Sequence, residues 1–184
     1  MIYRNPRIAI GNDIIMNNRI ILLAVLFFSC VASFGQKPKV PQPIIAEKSN
    51  IFGYAYDRDK KQMVLNYIYE EANKFDANVL QAIVKYKGHY AVIDTGGGWI
   101  LEPIFEDIHF NPDYNTYTAK LNGKYGVYGT DGKLRLAHKF DNLGATTRGW
   151  YEGELDGNWV YVSPEGKITT DMSDYLNWLN SHPE

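Results

Sequence analysis

The residue types that could do chemistry lie in the middle of the chain. They are three carboxylates and three histidines: Glu102, Glu106, Asp107, His89, His109 and His138. Two carboxylates close together are the groups with which glycosidases cleave a sugar bond, one as acid and the other as base or nucleophile. A histidine can act as a general base near neutral pH. Whether these residues meet at one point depends on the elements that carry them.

A glycine run beside these residues has the composition of a phosphate-binding loop. Gly96 to Gly98 directly precedes Trp99. A phosphate loop also needs a following Lys-Ser or Lys-Thr pair and a helix, and the sequence offers neither here. We therefore interpret the run as a hairpin turn. The sequence has no serine elbow, no Cys-His pair and no metal-ligand spacing, so we expect no cofactor and no metal.

The elements are defined by a motif that recurs along the chain. Its clearest copy runs from Asn122 to Leu143 and opens with Asn122-Gly123, a pair that readily supplies the positive φ angles of a type I′ hairpin turn. An alternating run from Tyr125 to Tyr128, a second turn at Thr130 to Lys133 and another strand follow. This order predicts an antiparallel three-stranded meander that closes on Phe140-Asp141.

Two aromatic positions recur in four copies of the motif. The second aromatic lies 15 to 17 residues after the first: Phe52 and Tyr69, Tyr90 and Phe105, Tyr125 and Phe140, Trp159 and Tyr175. Successive first aromatics are 38, 35 and 34 residues apart, a near-constant period that is typical of repeat proteins. One meander cannot bury its own apolar face, so the copies must stack, and we expect the first aromatic to pack against a second aromatic. Tyr125→Ala should then cost several kcal/mol through the cavity it leaves.

The motif resembles the repeat of the bacterial WG-repeat family, which runs as Gly-Lys-Trp-Gly, an aliphatic residue, Ile-Asp, a glycine-containing turn, Pro, and aromatic-Asp. The residues that carry the resemblance are Lys124 to Tyr128, Asp131 to Lys133, Phe140-Asp141, Tyr90 to Asp94, and Pro103 to Ile108. Tyr or Phe replaces the Trp in three copies, and Val160 replaces the Gly in the copy that has Trp159. The resemblance covers about residues 46 to 180. It implies an all-β fold of about four repeats, often exported, that offers a binding or scaffolding surface without catalysis.

Within the repeat, the candidate catalytic residues occupy positions that accept unrelated side chains. His138 occupies the position of Pro103 in the preceding copy, and Glu106-Asp107 correspond to Asp141-Asn142 in the next. Catalysis requires particular side chains, whereas turn and capping roles tolerate such exchange. We therefore predict that the chain is not an enzyme, that the carboxylates support turns, and that the histidines lie on solvated surface.

Several aromatic residues lie outside the two repeat positions. They are Trp99, Tyr114, Tyr117, Trp150, Tyr151 and Trp178. Stacked aromatics on a β surface suit glycans or peptides, because Tyr and Trp combine apolar area with a hydrogen-bonding group. We take all of them except Trp178 as candidate binding residues. The alternative is that they pack between meanders. A carbohydrate-binding function would use Trp99 and Trp150 as exposed residues.

The N-terminal part of the chain predicts export. Its signals are, in order, the start at Met16, Arg19, an apolar core from Ile20 to Phe28, and small residues at Ser33 and Gly35. This is the pattern of a signal peptide over residues 16–35, and it makes residues 1–15 a wrongly included extension unless translation starts at Met1. An uncleaved membrane anchor is disfavoured, because about nine apolar residues are too few to span a bilayer.

Cys30 is the only cysteine, and it lies within this segment. Attachment of a lipid needs a small residue just before it, which Ser29 supplies, and usually an aliphatic residue three positions before, where Phe27 stands. We expect ordinary cleavage after Gly35, with lipidation of Cys30 as the alternative. After ordinary cleavage the mature chain has no cysteine, so packing must supply its stability.

The remainder divides into a proline-rich linker over residues 36–45 and the repeat domain over residues 46–184. Without residues 1–35, the 19 basic and 21 acidic residues become 16 and 20, and these charges are dispersed. A weakly acidic chain without a basic stripe argues against nucleic-acid binding.

The C-terminal residues predict a short capping helix. Asp171 or Ser173 suits the N-cap, and Tyr175, Leu176 and Leu179 share one side, which we expect to cover the open edge of the last meander. The sequence as a whole predicts an exported protein of the periplasm, cell surface or medium, with no transmembrane helix in the mature chain. It would bind a protein partner in preference to a glycan.

Overall fold

The computed structural model describes residues 39–46, 48–57 and 62–183. The predicted signal peptide, the start at Met16 and Cys30 lie outside the described residues, as do residues 36–38 of the predicted linker. Over the described ranges the chain forms β-strands and a single C-terminal helix. The predicted all-β fold of antiparallel meanders with a terminal helix is confirmed.

The strands form four antiparallel sheets, in each of which sequence neighbours are also spatial neighbours. The first sheet contains β1 (Gln42–Ile45), β2 (Phe52–Ala55) and β3 (Met63–Tyr69). The second contains β4 (Glu71–Ala72), β5 (Gln81–Tyr86), β6 (His89–Asp94) and β7 (Trp99–Phe105). The third contains β8 (Asp107–Asn111), β9 (Thr116–Leu121), β10 (Lys124–Gly129) and β11 (Leu134–Phe140). The fourth contains β12 (Asn142–Ala145), β13 (Tyr151–Leu155), β14 (Asn158–Val162) and β15 (Ile168–Thr169), and helix α1 spans Met172–Ser181.

Three of these sheets have one strand more than the predicted three-stranded meander. The extra strand is the first of each sheet, and it begins two residues after the second aromatic of the preceding copy. For example, β11 ends at Phe140 and β12 begins at Asn142. The chain thus passes from one sheet to the next at Asp141, so the sequence repeat spans two sheets.

The hairpin turns follow the predicted glycine chemistry. Asn122 and Gly123 have φ angles of 52° and 77°, as a type I′ turn requires, and Lys87-Gly88 and Asp156-Gly157 have the same geometry. In the second turn of the third sheet, Gly132 has a φ of 75°. These positive φ angles confirm the turn predictions.

The sheets pack face to face, with an apolar core between each pair of neighbours. The core between the third and fourth sheets is made of buried residues from both: Val127, Phe140, Leu143, Tyr151, Val160 and Val162. In the first three sheets the first aromatic lies opposite the second on the neighbouring strand: Phe52 and Tyr69, Tyr90 and Phe105, Tyr125 and Phe140. The second aromatic of each pair is buried, whereas the first is half-buried.

Helix α1 covers a face of the fourth sheet. Asp171 is the N-cap, and its carboxylate accepts a hydrogen bond from the Ser173 N–H at 2.8 Å. The ring of Tyr175 stacks on Tyr161, with ring centroids 5.5 Å apart and an interplanar angle of 7°. The aromatic rings of the helix thus pack on the sheet face, whereas its first turn, which contains Asp174, makes the contact with the open edge. There the Thr169 hydroxyl of the edge strand β15 donates a hydrogen bond to the Asp174 carboxylate at 2.9 Å.

The end of the predicted linker is also part of the fold. Gln42–Ile45 forms β1 and pairs with β2, so this part is not a free tether. Pro43 is compatible with β1 because β1 is an edge strand, where a missing N–H leaves no gap in the ladder. In the part of the chain that the structure describes, no helix has the length and apolarity needed to cross a membrane.

Candidate functional site

The fourth sheet has one face turned away from the third sheet. Val160 and Val162 point into the core shared with the third sheet, so the alternation of β14 places Trp159 and Tyr161 on the opposite side. We call this opposite side of the fourth sheet the terminal face. The residues that line it across three neighbouring strands are Asn142 on β12, Glu152 and Glu154 on β13, and Trp159 and Tyr161 on β14.

The terminal face is only partly covered. Helix α1 lies over Tyr161 through Tyr175. Trp159 is 52% exposed, although it occupies the position at which Tyr90 and Tyr125 are half-buried. Glu154, directly opposite Trp159, is also exposed. The result is a solvated indole beside a solvated carboxylate.

The equivalent positions in the second sheet form a row of three side chains across three strands. Glu71, Lys85 and Tyr90 lie opposite one another on β4, β5 and β6. The ammonium of Lys85 lies 5.1 Å from the Tyr90 ring centroid and 3.1 Å from the Glu71 carboxylate, and the Tyr90 hydroxyl donates to Glu71 at 3.1 Å. The hydrogen bond with Glu71 raises the pKa of Lys85. The charges of Lys85 and Glu71 therefore balance within this row.

The third sheet repeats the arrangement. Asp107, Lys120 and Tyr125 lie opposite one another on β8, β9 and β10. The Lys120 ammonium is 5.3 Å from the Tyr125 ring centroid, and the Tyr125 hydroxyl donates to Asp107 at 3.2 Å. In the fourth sheet the same row reads Asn142, Glu154 and Trp159. A carboxylate therefore occupies the position that holds the lysine in both inner sheets.

Three of the five predicted binding aromatics are buried. Trp150 is 3% exposed and lies under the Tyr175 and Trp178 rings of helix α1, with centroid distances of 5.2 and 5.8 Å. The expectation that Trp150 is exposed for glycan stacking is therefore wrong, because the helix needs an apolar surface on which to dock. Tyr117 and Tyr151 are 1% and 5% exposed, which also contradicts a role as a freely accessible surface.

The two buried tyrosines join neighbouring sheets through their hydroxyl groups. The Tyr117 hydroxyl donates to the Gln81 side chain of the second sheet at 2.9 Å. The Tyr151 hydroxyl shares a hydrogen bond with Thr116 of the third sheet at 2.8 Å. Burial raises the pKa of both phenols, so they remain protonated. Tyr117 and Tyr151 therefore pack between meanders, as the alternative interpretation of the extra aromatics predicts.

Trp99 and Tyr114 are half-buried at separate places. Trp99 contacts the rings of Tyr69 and Tyr86 at 6.5 and 5.7 Å. Tyr114 lines a groove of about 330 Å³ between the third and fourth sheets, together with Tyr151, and donates to the Thr146 carbonyl at 3.2 Å. The predicted binding aromatics are thus distributed over several inter-sheet positions and do not form one face.

The candidate carboxylates have structural partners. Glu106 accepts a hydrogen bond from the Gly123 N–H at 3.0 Å, in the type I′ turn of the third sheet. Glu70 makes the equivalent contact with Gly88 at 3.1 Å in the second sheet. The predicted turn-capping role is confirmed for this acidic position. Among the described residues, no group of three or more His, Cys, Asp or Glu could hold a metal ion.

The histidines are dispersed, and one of them is not on solvated surface. His89 and His109 are exposed, and His109 lies 2.8 Å from Asp107. His138 instead packs on the rings of Phe105 and Tyr128, at 6.2 and 5.5 Å, and its Nε2 atom is buried without a hydrogen-bond partner. Burial lowers the pKa of His138. The prediction of a solvated position is wrong for His138, because its strand faces the second sheet there.

The fold and this site define an all-β repeat protein, built of stacked antiparallel meanders whose last sheet has a partly open face. The repeat itself is identified by a family model described as "WG containing repeat", which matches residues 90–125 and 125–159. Residues 90–159 therefore consist of two adjacent WG containing repeats, and the resemblance drawn from the sequence is confirmed for these residues. Each match begins at a first aromatic and ends at the next.

One solved structure, described as a eukaryotic initiation factor, is similar to this chain with 13% identity and a TM-score of 0.45. The similarity covers 76% of this chain and 39% of that chain, so this chain spans well under half of its length. A search of curated proteins gave no significant match.

Proposed function

We propose that this chain is an exported, non-catalytic repeat module that binds a protein partner through the terminal face of its fourth sheet. The observation that carries this proposal is Trp159, which is 52% exposed. Tryptophan is among the residues that most often dominate the binding energy of protein interfaces. A large indole left in water is unfavourable unless a partner covers it.

The stacking of the sheets supports this assignment. In each inner sheet, the face that carries the first aromatic packs on the following sheet, as Tyr125 does in the core with the fourth. In the described part of the chain no further sheet follows the fourth, and helix α1 covers Tyr161 but not Trp159. A partner would complete this cover.

The absence of catalysis is proposed from the roles of the polar residues. Glu106 caps a turn, Asp107 accepts from Tyr125, and His138 is packed between aromatic rings. Each candidate group is thus engaged in holding the repeat together, and the groups point to different places.

The experiment is an affinity capture with the purified protein from cell-envelope and culture fractions of its source. Trp159→Ala should lose a partner that the parent captures in stoichiometric amount. Leu134→Ala is the matched control, because Leu134 is 50% exposed on another sheet, and this variant should retain the partner. Retention of the partner by Trp159→Ala would refute the assignment. Retention of polysaccharide without a protein partner, lost in Trp159→Ala, would instead make the terminal face a glycan site.

Export is proposed from residues 16–35. The mass of the mature protein recovered from its source tests this directly. Ordinary cleavage leaves Gln36 as the first residue, whereas a lipoprotein begins at Cys30 and carries the mass of its acyl chains. A chain that retains residues 1–35 in full would contradict export by this segment.

A further inference from the structure

The inner sheets show what a first aromatic of this repeat holds on its ring. In both, a lysine on the neighbouring strand places its ammonium over a tyrosine ring: Lys85 over Tyr90 at 5.1 Å, and Lys120 over Tyr125 at 5.3 Å. A cation within about 6 Å of an aromatic centroid is attracted by the negative potential of the ring face. In the two inner sheets the first aromatic is therefore also a cation position, filled from within the chain.

The fourth sheet retains the aromatic but lacks this cation. Glu154 stands opposite Trp159, where the inner sheets have lysine. Tryptophan offers a stronger cation–π surface than the tyrosine at this position in the inner sheets. Glu152 lies next to Glu154 on the same face, opposite Tyr161, and Asp156 lies in the adjacent turn. The face thus combines an unfilled aromatic with an excess of negative charge.

A lysine close to Glu154 is already engaged with another carboxylate. Lys124 forms an ion pair with Asp141. The hydrogen bond between these two side chains raises the pKa of Lys124, and the charges of Asp156 and Glu154 act in the same direction. Lys124 therefore balances Asp141, and the charges of Glu152 and Glu154 are left for a partner.

We propose that the terminal face binds a basic protein segment, with a lysine or arginine side chain over the Trp159 indole and its charge paired with Glu154. This inference rests on the proposed protein-binding function and names the chemistry of the partner. A second copy of the chain is a poor occupant, because pairing equivalent faces would bring two acidic surfaces together, and the chain has a net charge of −2.

The test is a calorimetric titration of the purified protein with a short peptide of alternating lysine and glycine, beside its glutamate counterpart. The lysine peptide should bind and the glutamate peptide should not. Binding should weaken as salt is raised, because rim charges are screened. Trp159→Ala should lower the affinity about tenfold or more, since it removes the whole ring.

A charge reversal gives the sharpest variant. Glu154→Lys rebuilds the arrangement of the inner sheets, so the new lysine should occupy the Trp159 ring and lower the affinity for the lysine peptide about tenfold or more. Glu102→Lys is the matched control, because Glu102 is exposed on β7 of the second sheet and the change in net charge is identical. It should lower the affinity about twofold at most. If Glu154→Lys does not fold, Glu154→Gln should still lower the affinity about threefold or more.

The outcomes separate this inference from the proposed function. Equal loss in Glu154→Lys and Glu102→Lys would overturn the inference, because the peptide would then respond to net charge alone. The same holds if the parent binds neither peptide, or binds the glutamate peptide better. If the lysine peptide fails while partner capture still depends on Trp159, the basic chemistry is wrong and the protein-binding function stands. If capture does not depend on Trp159, the proposed function fails whatever the peptides do.

Discussion

The second aromatic of each repeat should contribute more to stability than the first. Phe140 is fully buried between the third and fourth sheets, where it packs with Val127, Leu143 and Val160. Truncation of such a side chain removes its transfer free energy and leaves a cavity that a stiff pleated sheet fills poorly. Phe140→Ala should therefore lower the free energy of unfolding by about 3–5 kcal/mol.

The opposite aromatic should cost less. Tyr125 is half-buried, and its hydroxyl donates to Asp107 close to solvent. Tyr125→Ala loses part of a ring contact and one hydrogen bond, which together amount to about 1–2 kcal/mol. The sequence predicts a loss of several kcal/mol in stability for Tyr125→Ala. From the structure we expect that loss for Phe140→Ala instead, because the second aromatic of the repeat is buried more deeply than the first.

Urea unfolding followed by far-ultraviolet circular dichroism would measure both variants on one scale. Phe140→Leu, which keeps most of the volume, should lose about 1 kcal/mol and remains informative if Phe140→Ala does not fold. A Tyr125→Ala variant that is destabilised as much as Phe140→Ala, at unchanged denaturant dependence, would refute the ranking. The core assignment between these sheets would then be wrong.

Two further perturbations test the packing of the third and fourth sheets. A Cβ on Gly126 would lie 2.8 Å from the Leu136 carbonyl oxygen, so Gly126→Ala should lower the free energy of unfolding in urea by about 1–3 kcal/mol. A Cβ on Gly144 would lie 4.0 Å from its nearest neighbour, so Gly144→Ala should change this free energy by less than about 0.5 kcal/mol. Equal effects would contradict the close approach. Burial lowers the pKa of His138 from its usual 6.5, so the unfolded chain binds a proton at this histidine at higher pH than the folded chain does. The free energy of unfolding should therefore fall as the pH drops from about 6.5 through the pKa of the folded state. In His138→Phe that part of the pH dependence should vanish, and an unchanged slope in unfolding midpoints would argue against the buried position.

The repeat can be predicted because its signals are local. Gly123 and Gly132 require positive φ in turns, and such positions are visible in a single sequence. The aromatic period then fixes which strands share a sheet. The first strand of each four-stranded sheet escapes prediction because the chain changes sheets at a single residue such as Asp141, without the Gly or Pro that usually marks a boundary.

The burial of the predicted binding aromatics does not follow from residue type alone. Tyr117 and Tyr151 look surplus to the repeat because the corresponding residue of the second sheet is Ala82. Their spacing of 34 residues equals that between Tyr125 and Trp159, which indicates a repeat position in the last two sheets. Whether such a tyrosine faces water or the neighbouring sheet depends on stacking, a contact that no local pattern encodes.

The candidate site shows the same division between residue type and position in the stack. Tryptophan is the residue that the family repeat has at its first aromatic, so Trp159 by itself looks like an ordinary core residue. Trp159 differs from the other first aromatics in two ways: no sheet among the described residues packs over it, and Glu154 stands opposite it in place of a lysine. Only the exchange of lysine for Glu154 can be recognised from the sequence. In the three copies with a two-residue glycine turn, the residue five positions before the first aromatic is Lys85, Lys120 and Glu154, so the sign reversal in the last copy is visible in the amino-acid sequence itself. The reversal lies beside Trp159, the one exposed first aromatic of the described sheets. The terminal face therefore has a negative charge suited to a basic partner as well as an exposed aromatic surface.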